Sequence, residues 1–538
     1  MMGCTPVTQT HPMNTLCSNQ PVANRYRTLA VCMTCMVMVV AAPVCAQAQQ
    51  TAELQTIEKQ ILTHVQHMRQ VTVSVRVGLN KASGVVVEGG FVITTGHAVE
   101  RIGQLATVQL TNSKTLEAKV HAIDKGNDVA LLKLSDSNAL PFAKLSQLNK
   151  TGLHPVVAVG NPGGVHPNRA ALVRFGMAAS GDLIRSSCQI ARGDSGGPLF
   201  DLNGRVVGIH RQILKGTENN FHTNALAIET NWNRLTAGGV IEGPTTLIDK
   251  MKWVLPTSPA PAFGPACVEI FCNKKRVALG TVVDRKNGWI VTKASQLSTK
   301  TPQVWLGAKA IATKLLHFDQ KLDLAVLKTT QSWPEQVELT SNPAPPIGSI
   351  VLSVLPNNKS VTAIIGANPR AIERETGEVG LQVDADLIVT EVRPTSAAKK
   401  AGLQNDDQIN AIDGTVVTTP REVGAALKQR DAGDRFRLEI SRDDKPLTLD
   451  IQLLHPAHKR FVNETFQLGA AGGSSERRSG FSTVLQHDAA ITPRDCGGPV
   501  VNLAGQFVGI NVAKVGREAV YMVPADKIIA LLQRIRRK

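Results

Sequence analysis

The chain has 538 residues, of which 43% are hydrophobic and 19% are charged. At about 100–200 residues per domain, this length predicts about three or four domains. The composition excludes a disordered chain, a collagen-like repeat and a polytopic membrane protein. The formal net charge of +16 favours an anionic partner, such as nucleic acid, a membrane surface or an acidic polymer.

Residues 1–48 have the features of a secretory signal peptide. Two arginines precede an apolar run over residues 29–42, and AQA at residues 46–48 offers an A-x-A cleavage site. An uncleaved membrane anchor is the alternative, because residues 29–46 are about long enough to span a bilayer. The sequence therefore predicts a secreted or periplasmic protein, which is membrane-anchored if the leader is not cleaved.

The cysteines do not form a disulfide framework that the sequence can define. Nine are too few for a disulfide scaffold in a chain of this length, and five of them lie in the leader. The four that follow it, Cys188, Cys267, Cys272 and Cys496, allow three pairings if all are bridged. Their disulfide state stays open.

The segments after the leader predict one helix followed by many short strands. Residues 51–69 carry apolar side chains at helical spacing. Short runs rich in Val and Ile, separated by turn residues, are typical of an all-β barrel or sandwich; they cover residues 71–77, 83–87, 90–95, 106–110, 128–134 and 155–159. A Pro-rich stretch, LPTSPAPAFGP at residues 255–265, predicts an extended linker.

The β pattern then begins again in the same order, which indicates an internal duplication. GGPLFDLNGRVVGI at residues 196–209 agrees at eight of fourteen positions with GGPVVNLAGQFVGI at residues 497–510. Two further blocks repeat: NDVALLK (127–133) with LDLAVLK (322–328), and FVITTGHAV (91–99) with WIVTKASQL (289–297). The last two blocks of the second copy lie about a hundred residues farther apart, so that copy contains an insert large enough for a small domain.

The strongest chemical motif is GDSGGP at residues 193–198. A serine hydroxyl is a poor nucleophile alone, and it needs a base, an acid that orients the base, and N–H donors for the oxyanion. His97 follows a β run and Asp128 opens another, so His, Asp and Ser195 occur in the chymotrypsin-like order. Gly193 can adopt the dihedrals that turn backbone N–H groups toward the oxyanion.

These motifs resemble the trypsin-like serine peptidases of the HtrA/Deg type over about residues 71–235. The resembling segments are SGVVV (83–87), VITTGHAV (92–99), NDVALLKL (127–134) and GDSGGPL (193–199). The resemblance implies that His97 is the general base, Asp128 its orienting partner and Ser195 the nucleophile, with an oxyanion hole formed by the N–H groups of Gly193 and Ser195. Asp124 is excluded as the acid, because it is expected in the turn before the strand.

Two residues before the nucleophile bear on substrate preference. Gln189 and Ile190 are uncharged, and this segment has no acid at the position that selects basic side chains in trypsins. We expect a small to medium apolar or uncharged side chain at the cleavage site.

The second copy is predicted to be a catalytically degenerate barrel. Alignment of the duplicates puts Ser295, Asp323 and Cys496 at the three catalytic positions. The base is therefore missing, and Arg494 replaces the glycine of the oxyanion turn. The alternative is a cysteine peptidase that recruits His317 or His487 as its base.

The insert resembles a PDZ domain. The resembling segments are GLQV (380–383), SAAKKAGL (396–403) and DDQINAIDG (406–414). TPRE at residues 419–422 is a capping box with Pro at the first helical position, which predicts a helix to about residue 430.

The PDZ resemblance implies a peptide-binding loop. In such domains a peptide adds as a strand beside the helix, and its terminal carboxylate meets the backbone N–H groups of the G-L-x-V loop. Gly380, Leu381, Gln382 and Val383 would take that role, although Gln382 departs from the usual apolar pattern. A PDZ fold that serves only as a spacer is the alternative.

The predicted fold class is mainly β, with two chymotrypsin-like double β-barrel domains, the second interrupted by an inserted α+β PDZ domain. The predicted ranges are 1–48 for the signal peptide, 53–245 for the active protease domain, 246–265 for the linker, 266–370 and 457–538 for the degenerate domain, and 371–456 for the PDZ domain.

The predicted function is that of a secreted or periplasmic serine endopeptidase that cleaves unfolded or damaged polypeptides. A non-hydrolytic chaperone or scaffold that binds peptides through the barrels and the PDZ domain is the alternative. We expect peptide or protein partners, no cofactor, no metal and, because aromatic residues are scarce, no nucleic acid. Peptidases of this type commonly form homo-oligomers. The basic tail at residues 534–538 would make a weak membrane-surface contact or simply end a solvated helix.

Overall fold

A computed structural model describes residues 23–149, 151–160, 172–214, 219–246, 266–297, 302–306, 309–455, 473–517 and 519–537. The predicted linker at 246–265 lies outside the described residues apart from residue 246, as do residues 1–22 of the predicted leader. The chain divides into two compact units, Met1–Gln50 and Thr51–Lys538. Helix α1 covers Ala23–Val71, including the helix predicted at 51–69. No helix among the described residues is both long and apolar enough to cross a membrane.

The first copy, residues 72–241, contains two six-stranded barrels. The strand Thr115–Asp124 begins with alternating exposed and buried side chains, because successive side chains point to opposite faces, whereas His154–Gly160 and Leu172–Ala179 are buried along most of their length. The elements are β1 Thr72–Val77, β2 Asn80–Val87, β3 Phe91–Thr95, β4 Leu105–Gln109, β5 Thr115–Asp124, β6 Val129–Leu134, β7 His154–Gly160, β8 Leu172–Ala179, β9 Leu183–Ser186, β10 Pro198–Phe200, β11 Val206–Ile213, β12 Asn220–Asn224, α2 Ala225–Thr230, α3 Trp232–Ala237 and β13 Gly239–Ile241.

The second copy, residues 267–372 and 481–536, also contains two closed barrels. Its elements are β14 Cys267–Cys272, β15 Lys275–Asp284, β16 Trp289–Lys293, β17 Gln303–Leu306, β18 Lys309–Asp319, β19 Leu324–Thr329, β20 Ile350–Leu355, β21 Lys359–Ile372, β28 Phe481–His487, β29 Pro499–Asn502, β30 Phe507–Val515, β31 Ala519–Pro524 and α6 Ala525–Arg536. The six strands that lie between β21 and β28 in the chain belong to the insert.

Strand order confirms the duplication. The first barrel of the first copy runs β1-β2-β3-β6-β5-β4, and its counterpart runs β14-β15-β16-β19-β18-β17. The second barrels run β7-β10-β11-β12-β9-β8 and β20-β29-β30-β31-β28-β21, which is again the same order. The insert therefore interrupts the second copy at the position between β8 and β9 of the first.

The inserted module, residues 373–455, is a small α+β unit with its own core. It contains β22 Leu381–Val383, β23 Val389–Val392, α4 Ala397–Lys400, β24 Gln408–Ile412, β25 Thr415–Val416, α5 Pro420–Lys428, β26 Arg435–Arg442 and β27 Lys445–Gln452. The capping box that starts α5 is formed as predicted, with the Thr419 side chain on the Glu422 N–H and the Glu422 side chain on the Thr419 N–H. These elements, with the two double barrels, confirm the predicted fold class.

Helix α1 packs against both copies through its part in the second unit. Ile61, Met68 and Val71 share a buried cluster with first-copy strands, and Leu54 packs with buried side chains of the second copy. The Glu58 carboxylate accepts a hydrogen bond from the Ile350 N–H at 2.7 Å. One helix therefore contacts both halves of the duplication.

Candidate active site

His97 and Asp128 form a hydrogen-bonded pair in the first copy. His97 lies in the 3₁₀ turn Gly96–Ala98, directly after β3, and its Nδ1 is 2.9 Å from Asp128 Oδ2. The other carboxylate oxygen accepts the His97 backbone N–H at 2.8 Å. Because an ionised carboxylate only accepts, Nδ1 is the donor in this hydrogen bond. The imidazole is 53% exposed and is therefore open to a substrate.

An arginine also reaches the Asp128 carboxylate. Nε of Arg211, on β11, is 3.7 Å from Asp128 Oδ2, and the Arg211 side chain is largely buried. The Thr95 hydroxyl also donates to Oδ2 at 3.1 Å. Sequence analysis missed Arg211, because nothing in its local context links it to a residue 83 positions away.

The nucleophile candidate Ser195 is held beside the strand that leads to His97. The Ser83 N–H on β2 donates to the Ser195 carbonyl at 2.8 Å. Thr94, on the neighbouring strand β3, donates from its hydroxyl to the Ser83 carbonyl at 2.7 Å. The backbone of Ser195 therefore lies beside β2, and His97 directly follows the neighbouring strand β3.

The turn at residues 191–194 has a positive φ at Gly193. The Asp194 N–H donates to the Ala191 carbonyl at 3.0 Å, and Gly193 has φ +96°. A positive φ at the third position of a β-turn is tolerated by glycine. Within the described parts of the chain, the N–H groups of Gly193 and Ser195 make no hydrogen bond, so both are available as donors.

A buried ion pair lies next to Ser195 in the chain. Arg174 on β8 donates to Asp194 Oδ2 at 2.5 Å, and both side chains are 0% exposed. The same oxygen accepts the Ala191 N–H at 2.7 Å. The Asp194 carboxylate thus fixes the start of the oxyanion turn and ties it to β8.

The predicted specificity residues lie in the interior. Gln189 and Ile190 are each 3% exposed. Gln189 Nε2 donates to the Asp488 carbonyl of the second copy at 3.2 Å, and the Ile190 N–H donates to Asn220 Oδ1 at 3.2 Å. The structure therefore places their side chains inside the protein rather than on an open wall of the cleft.

The expected position of Asp124 in the turn is wrong, because Asp124 is the last residue of strand β5. Its carboxylate is buried and accepts hydrogen bonds from three donors. These are the N–H and the side-chain amide of Asn127 and the side-chain amide of Asn231. Its role is to close the β5–β6 turn.

In the second copy, Ser295 and Asp323 keep their backbone arrangement but contact a lysine. The Ser295 N–H and hydroxyl donate to Asp323 at 2.7 and 2.9 Å. Buried Lys293 donates to Asp323 Oδ2 at 2.9 Å and also to the Arg477 carbonyl at 3.1 Å and to the Val512 carbonyl. An ammonium group with three acceptors replaces the imidazole as the partner of the acid.

Cys496 is buried, and burial raises the pKa of its thiol. Its sulfur lies 3.8 Å from the Ser475 hydroxyl. His487 uses Nε2 on Asn511 and Nδ1 on the Ala489 N–H, and burial lowers its pKa to about 4. These contacts occupy both ring nitrogens, which disfavours His487 as a base for Cys496.

The remaining cysteines and acidic groups form no further site in the described residues. Cys188, Cys267, Cys272 and Cys496 are all free and buried. No group of three or more His, Cys, Asp or Glu side chains lies close enough there to hold a metal ion.

In the inserted module, the predicted loop begins at Gly380 with a backbone conformation that favours glycine. Its φ is +76°, and a Cβ there would lie 2.4 Å from Ser396 Cβ. Leu381, Gln382 and Val383 form β22, which pairs only with β23 among the named strands. Leu381, Val383 and the α5 residue Val423 belong to the same apolar cluster. β22 therefore offers a free edge for an added strand.

Comparison with known proteins matches two segments to families. Residues 82–209 match the trypsin-like peptidase domain and residues 363–453 match the PDZ domain. The periplasmic pH-dependent serine endoprotease DegQ of Escherichia coli (strain K12) is 24% identical over 397 residues, covering 68% of this chain and 79% of that protein. A probable periplasmic serine endoprotease DegP-like of Brucella suis biovar 1 is 26% identical over 402 residues, covering 68% and 72%.

Among solved structures, the serine endoprotease from Yersinia pestis is similar at 14% identity with a TM-score of 0.30. The match covers 74% of this chain and 98% of that one.

Proposed function

Because this chain is a trypsin-like serine endopeptidase of the HtrA/Deg type with a PDZ domain, we propose that it cleaves unfolded or damaged polypeptides in the periplasm through Ser195, His97 and Asp128. The observation that carries the proposal is the His97–Asp128 pair, together with a turn whose Gly193 and Ser195 N–H groups make no hydrogen bond within the described residues. The second copy has neither an imidazole nor an exposed nucleophile at the matching positions.

The proposed mechanism follows from this geometry. His97 Nε2 takes the proton of the Ser195 hydroxyl as Oγ bonds to the scissile carbonyl carbon and the C=O π electrons move to oxygen. The N–H groups of Gly193 and Ser195 donate to that oxyanion. His97 gives the proton to the leaving amine as the C–N bond breaks. A water molecule then hydrolyses the acyl-enzyme by the same sequence of steps.

Labelling with a fluorophosphonate tests the nucleophile. The native chain should be labelled once, at Ser195, and should hydrolyse an unfolded casein. Ser195→Ala should lose the label, and its turnover should fall by about 10⁶-fold. A native chain that is not labelled, yet prevents the aggregation of an unfolded protein, would support the non-hydrolytic scaffold instead.

The inserted module is proposed to bind C-terminal peptides along β22. Support comes from the free edge of β22 and from the apolar cluster shared by β22 and α5. Titration of free-acid peptides against full-length Ser195→Ala should give saturable binding, and C-terminally amidated peptides should bind more weakly. Equal binding of both forms, or none, would favour the spacer role.

A further inference from the structure

The two copies pack against each other through equivalent strands. Strand β8 of the first copy lies against β21 of the second, and these occupy the same position in the duplicated order. The backbones are so close that a Cβ on Gly366 would lie 2.5 Å from the Val173 carbonyl oxygen. The two copies therefore contact each other directly through the backbones of β8 and β21.

Asp488 joins the two copies with its side chain. Its Oδ2 accepts the Phe175 N–H on β8 at 2.7 Å, and its Oδ1 accepts the Ile364 N–H on β21 at 2.8 Å. Its backbone carbonyl accepts Gln189 Nε2. One residue of the second copy thus holds both β8 and the segment that precedes the nucleophile.

Arg517 reaches the same segment from another loop of the second copy. The guanidinium is fully buried and donates to Asn220 Oδ1 at 3.0 Å and to the Leu214 carbonyl at 3.3 Å. Asn220 Oδ1 also accepts the Ile190 N–H. Because Asn220 binds both groups, Arg517 fixes the acceptor that holds Ile190 in place.

This segment continues directly into the oxyanion turn. The residue after Ile190 is Ala191, whose N–H is held by Asp194 and whose carbonyl accepts the Asp194 N–H. Gly193 and Ser195 follow at once. A shift of residues 189–190 would therefore displace the turn that orients both oxyanion donors.

We propose that the degenerate second copy is a built-in activator of the first, in which Asp488 and Arg517 are positioning residues that hold residues 189–190 and the adjoining oxyanion turn in the catalytically competent conformation. The inference rests on the proposed function of Ser195. It assigns a task to a barrel that has lost its own machinery. Burial raises the pKa of the Asp488 carboxylate, whereas its hydrogen bonds from the Ile364 and Phe175 N–H groups favour the ionised form.

Variants of the full-length chain test the activator role. Arg517→Met and Asp488→Asn should lower kcat for peptide cleavage, and the rate of fluorophosphonate labelling, by about 10- to 100-fold, up to the cost of losing one oxyanion donor. KM should change less than about threefold, because the turn acts on the transition state. Arg517→Lys should recover part of the activity, since it keeps the charge and a donor.

Matched controls come from the exposed surface of the same copy. Arg536→Met removes an arginine paired with Asp284, and Asp526→Asn changes an acid on the same helix α6. Both should retain kcat within about twofold. Every variant should give the circular dichroism spectrum of the native chain. Asp488→Asn is the variant expected to stay folded if Arg517→Met does not, because the amide keeps the size and one acceptor.

The outcomes separate this inference from the proposed function. If the native chain is neither labelled nor active, the proposed function fails. If the native chain is active and folded Asp488→Asn and Arg517→Met match it within twofold, the activator role is overturned while Ser195 remains the nucleophile. A variant that is more active than the native chain would also overturn it, because the second copy would then be an inhibitor.

Discussion

Replacement of Arg174 by Met should destabilise the first copy strongly. The guanidinium and the Asp194 carboxylate are both fully buried, and removal of one partner leaves an uncompensated charge that costs about 3–5 kcal/mol. Asp194 has little room to escape, because a single added Cβ at Gly160 would already lie 2.4 Å from its Oδ1. We therefore expect a loss in the upper half of that range, against a typical total stability of about 5–15 kcal/mol.

A double-mutant cycle measures this pairing directly. Arg174→Met, Asp194→Asn and the double variant would be compared in a Ser195→Ala background, which prevents self-cleavage. Amide hydrogen exchange of peptides from residues 154–213 in increasing urea reports the first copy separately from the second. The double variant should be more stable than Arg174→Met, with a coupling energy of about 2–3 kcal/mol, because two neutral side chains leave no buried charge.

Additive effects would refute this reasoning. If the double variant loses the sum of the two single losses, the pair makes no net interaction and Asp194 is stabilised by other groups. If Arg174→Met loses less than about 1 kcal/mol, the site admits water and is not the closed interior that its 0% exposure indicates.

Three further predictions follow from the contacts of single residues. Cys496 should resist iodoacetamide in the native state, and Cys496→Ser should keep full activity; loss of activity on alkylation would revive the cysteine peptidase. Burial raises the pKa of Asp488 from 3.8 to about 6, so the folded state binds its proton more tightly, and stability relative to Asp488→Asn should fall by about 2 kcal/mol from pH 4 to pH 7 in urea titrations. A stability difference between the native chain and Asp488→Asn that does not change with pH would contradict the burial of the Asp488 carboxylate. Gly380→Ala should weaken C-terminal peptide binding at least tenfold by calorimetry, because Gly380 has φ +76° and Ser396 blocks the added Cβ. Unchanged affinity would show that the loop accommodates the added Cβ without losing its binding conformation.

Local motifs predicted the fold class and the candidate triad because each is carried by short segments. GDSGG, a histidine after a strand and an aspartate at a strand start are readable within about ten residues each. The duplication was readable because the copies preserve strand order and block sequence. The capping box of α5 was readable because its two partners, Thr419 and Glu422, lie three positions apart.

The contacts that were missed connect distant positions. Phe175 and Asp488 are 313 positions apart, and Asn220 and Arg517 are 297 apart, so no local spacing predicts either contact. A weaker indication was present in β8, where Arg174 interrupts an apolar run, LVRFGMAA. A cation in such a strand implies a buried partner, but the sequence does not say which carboxylate supplies it.

The second copy separates two roles that the aspartate combines in the first. Asp128 and Asp323 have nearly the same positive φ, +55° and +54°. Each accepts a backbone N–H on its carboxylate, from His97 at 2.8 Å and from Ser295 at 2.7 Å. The second copy retains these bonds without an imidazole, so the aspartate is kept there for the shape of the turn. In the first copy, the same bonds fix the position of the histidine backbone, and the second carboxylate oxygen remains for the ring. The acid is therefore a structural part of the barrel before it is a part of the proposed triad, which accounts for an aspartate at the matching position of a copy that has no imidazole there.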